Sequence, residues 1–137
     1  MKSKQLIFIG ECRSPTAQRK GWSWTDGRLA AKPLFEALEA MGIEPLDHLF
    51  YNLFHDPPAR RNVRRWRPTV NEGIVSGLCV QVRGRVVVAL GKRVSAELVK
   101  RGINHVALVH PAARGRIRKR ERYIAHVAER LGGAVRP

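Results

Sequence analysis

Three polar residues each sit where a short apolar run gives out: Glu11 after QLIFIG, Asn52 within HLFYNLF, and His110 after HVALV. A carboxylate can orient water or stabilise a developing cation, and an imidazole can donate a hydrogen bond to developing negative charge. An asparagine amide carries a donor and an acceptor side by side, which suits a planar ring with paired polar functions. Each type also has a plain structural use. Glu11 could cap a helix or remain a solvated loop carboxylate, Asn52 could close a turn, and His110 could end a strand before Pro111. Their joint placement, after three separate apolar runs, is what favours a shared site.

The elements that must position them follow from periodicity. Gln5–Ile9 reads as a buried strand ending at Gly10, with a long polar loop to about Gly27. Ala30, Leu34, Leu38 and Met41 recur at helical spacing before Gly42. His48–Phe54 reads as a second strand, and Pro68 is placed to open a helix that runs to about Leu78. Arg85–Gly91 is a β-branched run, a helix follows to about Arg101, HVALV supplies a fourth strand, and a last helix starts near Arg116. The order βαβαβαβα with continuous apolar strands predicts an α/β fold, a four-stranded parallel sheet covered on both faces. Ligands of such sheets bind outside the carboxyl ends of the strands, the edge where Glu11, Asn52 and His110 fall.

Composition narrows the partner class. A chain of 137 residues with no internal linker is expected to be a single domain over residues 1–137. It contains no long apolar span, so no membrane partner is expected. Two cysteines cannot supply a four-thiolate zinc or iron–sulfur site, and they fit a reducing, cytoplasmic compartment. The formal net charge of +15 favours a polyanionic partner, nucleic acid foremost. The charge is clustered in two places. Arg60, Arg61, Arg64, Arg65 and Arg67 follow the second strand, and Arg114, Arg116, Arg118 and Lys119 follow the fourth. Both clusters begin at the predicted ligand edge, where phosphate contacts would release counterions. A generic solvated face is the alternative for the more distal arginines.

The segments IFIGE (Ile7–Glu11), LFEALEAMGI (Leu34–Ile43), FYNLF (Phe50–Phe54), VVVALG (Val86–Gly91) and LVHPA (Leu108–Ala112) together resemble the uracil-DNA glycosylase superfamily, in its order and over most of the chain. The resemblance implies a three-layer α/β/α fold and hydrolysis of the N-glycosidic bond of uracil or a related modified base in DNA, without metal or cofactor. It implies that Glu11 orients the attacking water, that Asn52 reads the base edge and that His110 stabilises the departing base anion. Trp24, with Trp22 as a rival, or Phe54 would stack on the flipped base, and packing against the sheet is the other use of these rings. DNA, single- or double-stranded, is the implied partner of a monomer, nucleoid-associated in a bacterial or phage setting.

The sequence departs from the family pattern in two motifs. GECRSPTAQ lacks the compact Gly-Glu-x-Pro-Gly form, which puts Cys12 and Arg13 into the water-positioning segment. HPAARGR replaces a His-Pro-Ser motif with an apolar wedge, leaving Arg114 as the residue that could enter the gap of a flipped base. A noncatalytic DNA-binding or regulatory protein on the same scaffold is therefore the rival reading. A generic nucleotide-processing enzyme is disfavoured because the chain has neither a GxxxxGK[ST] loop nor a GxGxxG turn.

Overall fold

The alternation of side chains along the first strand sets the architecture. In a computed structural model that describes residues 4–57, 67–113, 115, 117 and 119–133, strand β1 (Gln5–Gly10) buries Leu6, Ile7, Phe8 and Ile9 completely. Leu6 and Phe8 point to one face and Ile7 and Ile9 to the other, as a period of two requires. A strand buried on both faces must be covered on both.

The sheet has four parallel strands in the order β2-β1-β3-β4, with β2 Leu49–Asn52, β3 Arg85–Leu90 and β4 Val106–Leu108. Leu6 and Phe8 pack with Leu34, Ala37 and Leu38 of one helix and with Tyr123, Val127 and Leu131 of another. Ile7 and Ile9 pack with Leu78, Val94 and Leu98. In chain order the helices are α1 (Pro15–Lys20), α2 (Ala31–Ala40), α3 (Glu72–Gln81), α4 (Lys92–Lys100) and α5 (Arg120–Leu131). Each fully buried Leu, Ile or Phe side chain contributes roughly 1.5–3 kcal/mol relative to exposure.

The expected α/β order is present, with local differences that have physical causes. The segment read as a loop to Gly27 contains α1 and a 3-10 turn, Trp24–Asp26. Ser14 Oγ accepts the Ala17 N–H at 3.2 Å, Pro15 starts the helix and Gly21 (φ 68°) ends it. Helix α1 buries no residue, so it has no apolar stripe for a periodicity reading to find. Pro68 does not open a helix. Residues 69–71 instead run antiparallel beside 53–55, where His55 N–H donates to Thr69 O and Asn71 N–H to Leu53 O. Helix α3 begins afterwards, with Asn71 Oδ1 accepting the Gly73 N–H at 3.1 Å.

Helix α5 also closes the outer edge of β4, whose outward backbone groups have no neighbouring strand among the described residues. Tyr123 Oη donates to Val109 O at 2.8 Å, His126 Nε2 accepts the Val109 N–H at 2.9 Å, and Arg130 Nε donates to Ala107 O at 3.1 Å. The described part of this helix begins at Arg120, with Lys119 at its N-cap. Among the described residues, no helix is long and apolar enough to cross a membrane.

Candidate functional site

Strand register brings the first two candidates together. Gly10 of β1 is the partner of Asn52 of β2, and the ladder continues as Leu53 N–H donates to Gly10 O and Phe54 N–H to Glu11 O. The sheet order reverses direction between β1 and β3, which makes their carboxyl ends the natural ligand crevice. Gly91, just past β3, has φ 100° and lies against both other candidates: a Cβ there would stand 3.4 Å from His110 Cβ and 3.6 Å from Glu11 Oε1. The glycine thus lets the carboxylate and the imidazole approach across the sheet edge.

His110 is held by its own turn. Its carbonyl accepts the Ala113 N–H at 2.9 Å, and its Nδ1 lies 3.0 Å from the Ala112 N–H. A ring nitrogen that accepts from a backbone N–H carries no proton, so the neutral ring bears its hydrogen on Nε2. Burial lowers the His110 pKa, against the opposing pull of Glu11. The residue is therefore a neutral Nε2–H donor at neutral pH.

Two cavities meet at His110. The smaller, about 290 Å³, is lined by His110 and Ala112, by Asn52, by Trp22 and Trp24, and by residues of the first loop that include Cys12 and Arg13. The larger is an open groove of about 900 Å³ bordered by Glu11, Gly91, His110, Lys92, Arg93 and Arg130. Glu11 and Asn52 thus border different cavities, and His110 is the lining residue the two share.

The wall of the smaller cavity is built from aromatic packing. Phe8 stacks on Phe50 at 4.9 Å and Trp24 on Phe50 at 6.2 Å, which anchors the Trp24 ring on the apolar cluster beneath. Its Nε1–H donates to Asn52 Oδ1 at 2.7 Å. Ser23 N–H donates to Asp26 Oδ2 at 2.7 Å and holds the 3-10 turn that presents the indole. Arg28 lies over the Trp22 ring at 5.5 Å, and the next residue, Leu29, has φ 53°, a left-handed conformation that costs a β-carbon-bearing residue about 1 kcal/mol or more.

Phe54 corrects the sequence expectation. It is 6% exposed and belongs to the cluster of Ile7, Leu78, Val87 and Leu98, on the sheet face opposite Trp24. Strict alternation would place it on the side of Asn52. However, the chain leaves the strand after Asn52, and a bridge to Val70 draws Phe54 into the other core, so it cannot stack on a ligand in the cavity.

Arg67 is exposed after the second strand and Lys119 is exposed at the start of α5. Arg60, Arg61, Arg64, Arg65, Trp66, Arg114, Arg116 and Arg118 lie outside the described residues. Sequence reasoning did not single out Arg28, nor the part played by Arg13, whose backbone N–H and Nε both donate to Asp56 at 2.7 Å. That fork ties the loop after β1 to the segment after β2. Its one signal was an acid placed just past the second apolar run. Cys12 is a cavity residue whose thiol pKa is raised by burial and by Glu11 and Asp56, so it is a protonated, poorly nucleophilic thiol at neutral pH. Among the described residues no group of three or more His, Cys, Asp or Glu side chains could hold a metal ion.

Comparison with models of known protein families finds no match, and comparison with curated proteins finds none either.

Proposed function

We propose that the protein is a DNA glycosylase on a three-layer, uracil-DNA glycosylase-like fold, which removes uracil or a related modified base. The observation that carries this reading is His110: a neutral imidazole with Nδ1 held by the Ala112 N–H and its proton on Nε2, lining a small cavity that Asn52 also lines. The cavity is near the lower end of the roughly 300–1,000 Å³ typical of small-molecule pockets. A target base would have to leave the stack to enter it.

In the reaction, the C1′–N bond breaks, the electron pair leaves with the base, and water adds to C1′. His110 Nε2–H donates to the base oxygen on which charge develops. Glu11, across Gly91 from the imidazole, stabilises the cationic sugar and takes the proton of the attacking water. Asn52 meets the base edge. The arginine-rich segments after the second and fourth strands hold the phosphates, and the net charge of +15 supports that role.

The test is release of free base from uracil-containing single- and double-stranded DNA. His110→Ala should slow release about 10²–10³-fold, and Glu11→Gln about 10²–10⁴-fold. Wild-type release no faster than these variants, across several modified bases, refutes the hydrolase.

One observation favours a second reading, a noncatalytic DNA-binding protein: Glu11 borders the open groove and not the cavity that holds Asn52. This reading expects strongly salt-dependent DNA binding that survives Asn52→Ala and His110→Ala. Neutralising Arg60, Arg61, Arg64, Arg65 and Arg67 should weaken that binding and flatten its salt dependence.

A further inference from the structure

The Trp24–Asn52 hydrogen bond uses part of the amide expected to meet the base, and this has a consequence for which bases can be accepted. An indole nitrogen is a donor and never an acceptor. At 2.7 Å from Trp24 Nε1, the Asn52 atom must therefore be the oxygen. Rotating the amide by half a turn would set its NH2 group against the indole N–H, two donors in contact with no acceptor between them. The opposite orientation leaves the NH2 group as the end of the amide that Trp24 does not hold.

The contact is built from three segments at close quarters. A Cβ on Gly10 would lie 2.5 Å from Trp24 Cζ2 and 2.8 Å from Asn52 Oδ1, so only glycine at the end of β1 admits the pair. The Trp24 ring is in turn fixed on Phe50. His110, which also lines the cavity, carries its ring proton on Nε2, since its Nδ1 is occupied by Ala112. Arg13 and Arg28 add further donors, and among the described residues no Asp or Glu lines the cavity.

We infer that Trp24 is a positioning residue that locks the Asn52 amide with its NH2 group toward the ligand, so that the site selects a base edge bearing a carbonyl oxygen over one bearing an amino group. This rests on the reading of Asn52 as the residue that meets the base. A uracil-type edge satisfies the locked donor. Where uracil carries O4, a cytosine-type edge sets its own amino donor against the locked one, and the amide cannot turn to accept without losing Trp24.

Trp24→Phe keeps a ring on Phe50 and removes the N–H, which makes it the informative substitution. Two readouts apply to the full chain: single-turnover release from uracil- and cytosine-containing single strands, and titration with the free bases followed through the indole N–H NMR signals. The wild type should prefer uracil. Trp24→Phe should reduce that preference about ten- to a hundredfold, the range for leaving a buried donor opposed or unpaired. The Trp24 indole signal, identified by its loss in Trp24→Phe, should move in Asn52→Ala. An unchanged preference in Trp24→Phe overturns the lock and leaves the glycosylase reading standing. If the wild type releases no base, the glycosylase reading fails and the free-base titration decides the lock: a uracil preference that Trp24→Phe abolishes upholds it, and no preference or no binding in the wild type overturns it. Should Trp24→Phe fail to fold, the Trp24 signal is identified instead as the one kept in both Trp22→Phe and Trp66→Phe, and its failure to respond to Asn52→Ala overturns the lock.

Discussion

Replacing Gly10 by alanine tests the packing on which the whole site depends. The residue lies in β1 and is absent from the glycines with positive φ, so alanine meets no backbone strain. With free space around it, the change would stabilise by about 0.4–1 kcal/mol through the unfolded chain. The space is taken: the new Cβ would stand 2.5 Å from Trp24 Cζ2 and 2.8 Å from Asn52 Oδ1. Carbon atoms pack at about 3.5–4.0 Å, so the indole must retreat by about 1 Å. Overpacking of this kind costs about 1–3 kcal/mol, and loss of the Trp24–Asn52 bond adds about 0.5–1.5 kcal/mol. The expected net destabilisation is about 1–4 kcal/mol, read as a lower urea midpoint at unchanged slope. In a Trp24→Ala background the Cβ gains room, so the same change should cost much less, and the cycle reports the coupling. Gly77→Ala is the control, because it lies in α3 with nothing within 4 Å of its Cβ and should stabilise by about 0.5–1 kcal/mol. A Gly10→Ala protein as stable as the wild type refutes the close approach of Trp24 and with it the geometry of the cavity wall.

Three further outcomes are expected. His48, His110 and His126 each accept a backbone N–H, from Leu6, Ala112 and Val109, and burial lowers the pKa of all three. Their contribution is present above the ordinary value of about 6.5 and lost as pH falls through the lowered folded values, so the urea midpoint should drop as pH falls below about 6.5; a midpoint that rises on acidification contradicts this. Tyr123→Phe, which leaves Val109 O without its 2.8 Å donor, should destabilise by about 1–2 kcal/mol in the same assay, and a neutral result would mean that the strand edge finds another donor. Iodoacetamide at neutral pH should modify exposed Cys79 well before Cys12, as followed by peptide mass spectrometry; prior labelling of Cys12 would show that it is a thiolate.

Much of the scaffold was legible because its cause is local. QLIFI, RVVVAL and the VAL of HVALV are apolar on both sides, which only a strand covered on both faces can use, and all three are strands of one parallel sheet. Helix α2 was legible from its apolar spacing, but α1 was not, since a helix that buries nothing is specified by its caps alone. Phe54 shows where periodicity stops being informative. Strict alternation from Asn52 would set it on that residue's face, but a bridge to Val70 turns it into the opposite core.

The sequence by itself determined the α/β order, the strong positive charge and the placement of Glu11, Asn52 and His110 at the ends of apolar runs, since each follows from residue type and spacing along the chain. Only the tertiary structure decided how they are grouped. The strand order β2-β1-β3-β4 sets Asn52 beside Gly10 and carries His110 past Gly91, so that the carboxylate borders one cavity, the amide another, and His110 both. It also decided which atoms remain to do chemistry. Ala112 occupies Nδ1 of His110 and Trp24 occupies Oδ1 of Asn52, contacts that spacing along the chain does not specify because they depend on how a turn and a 3-10 segment close in space.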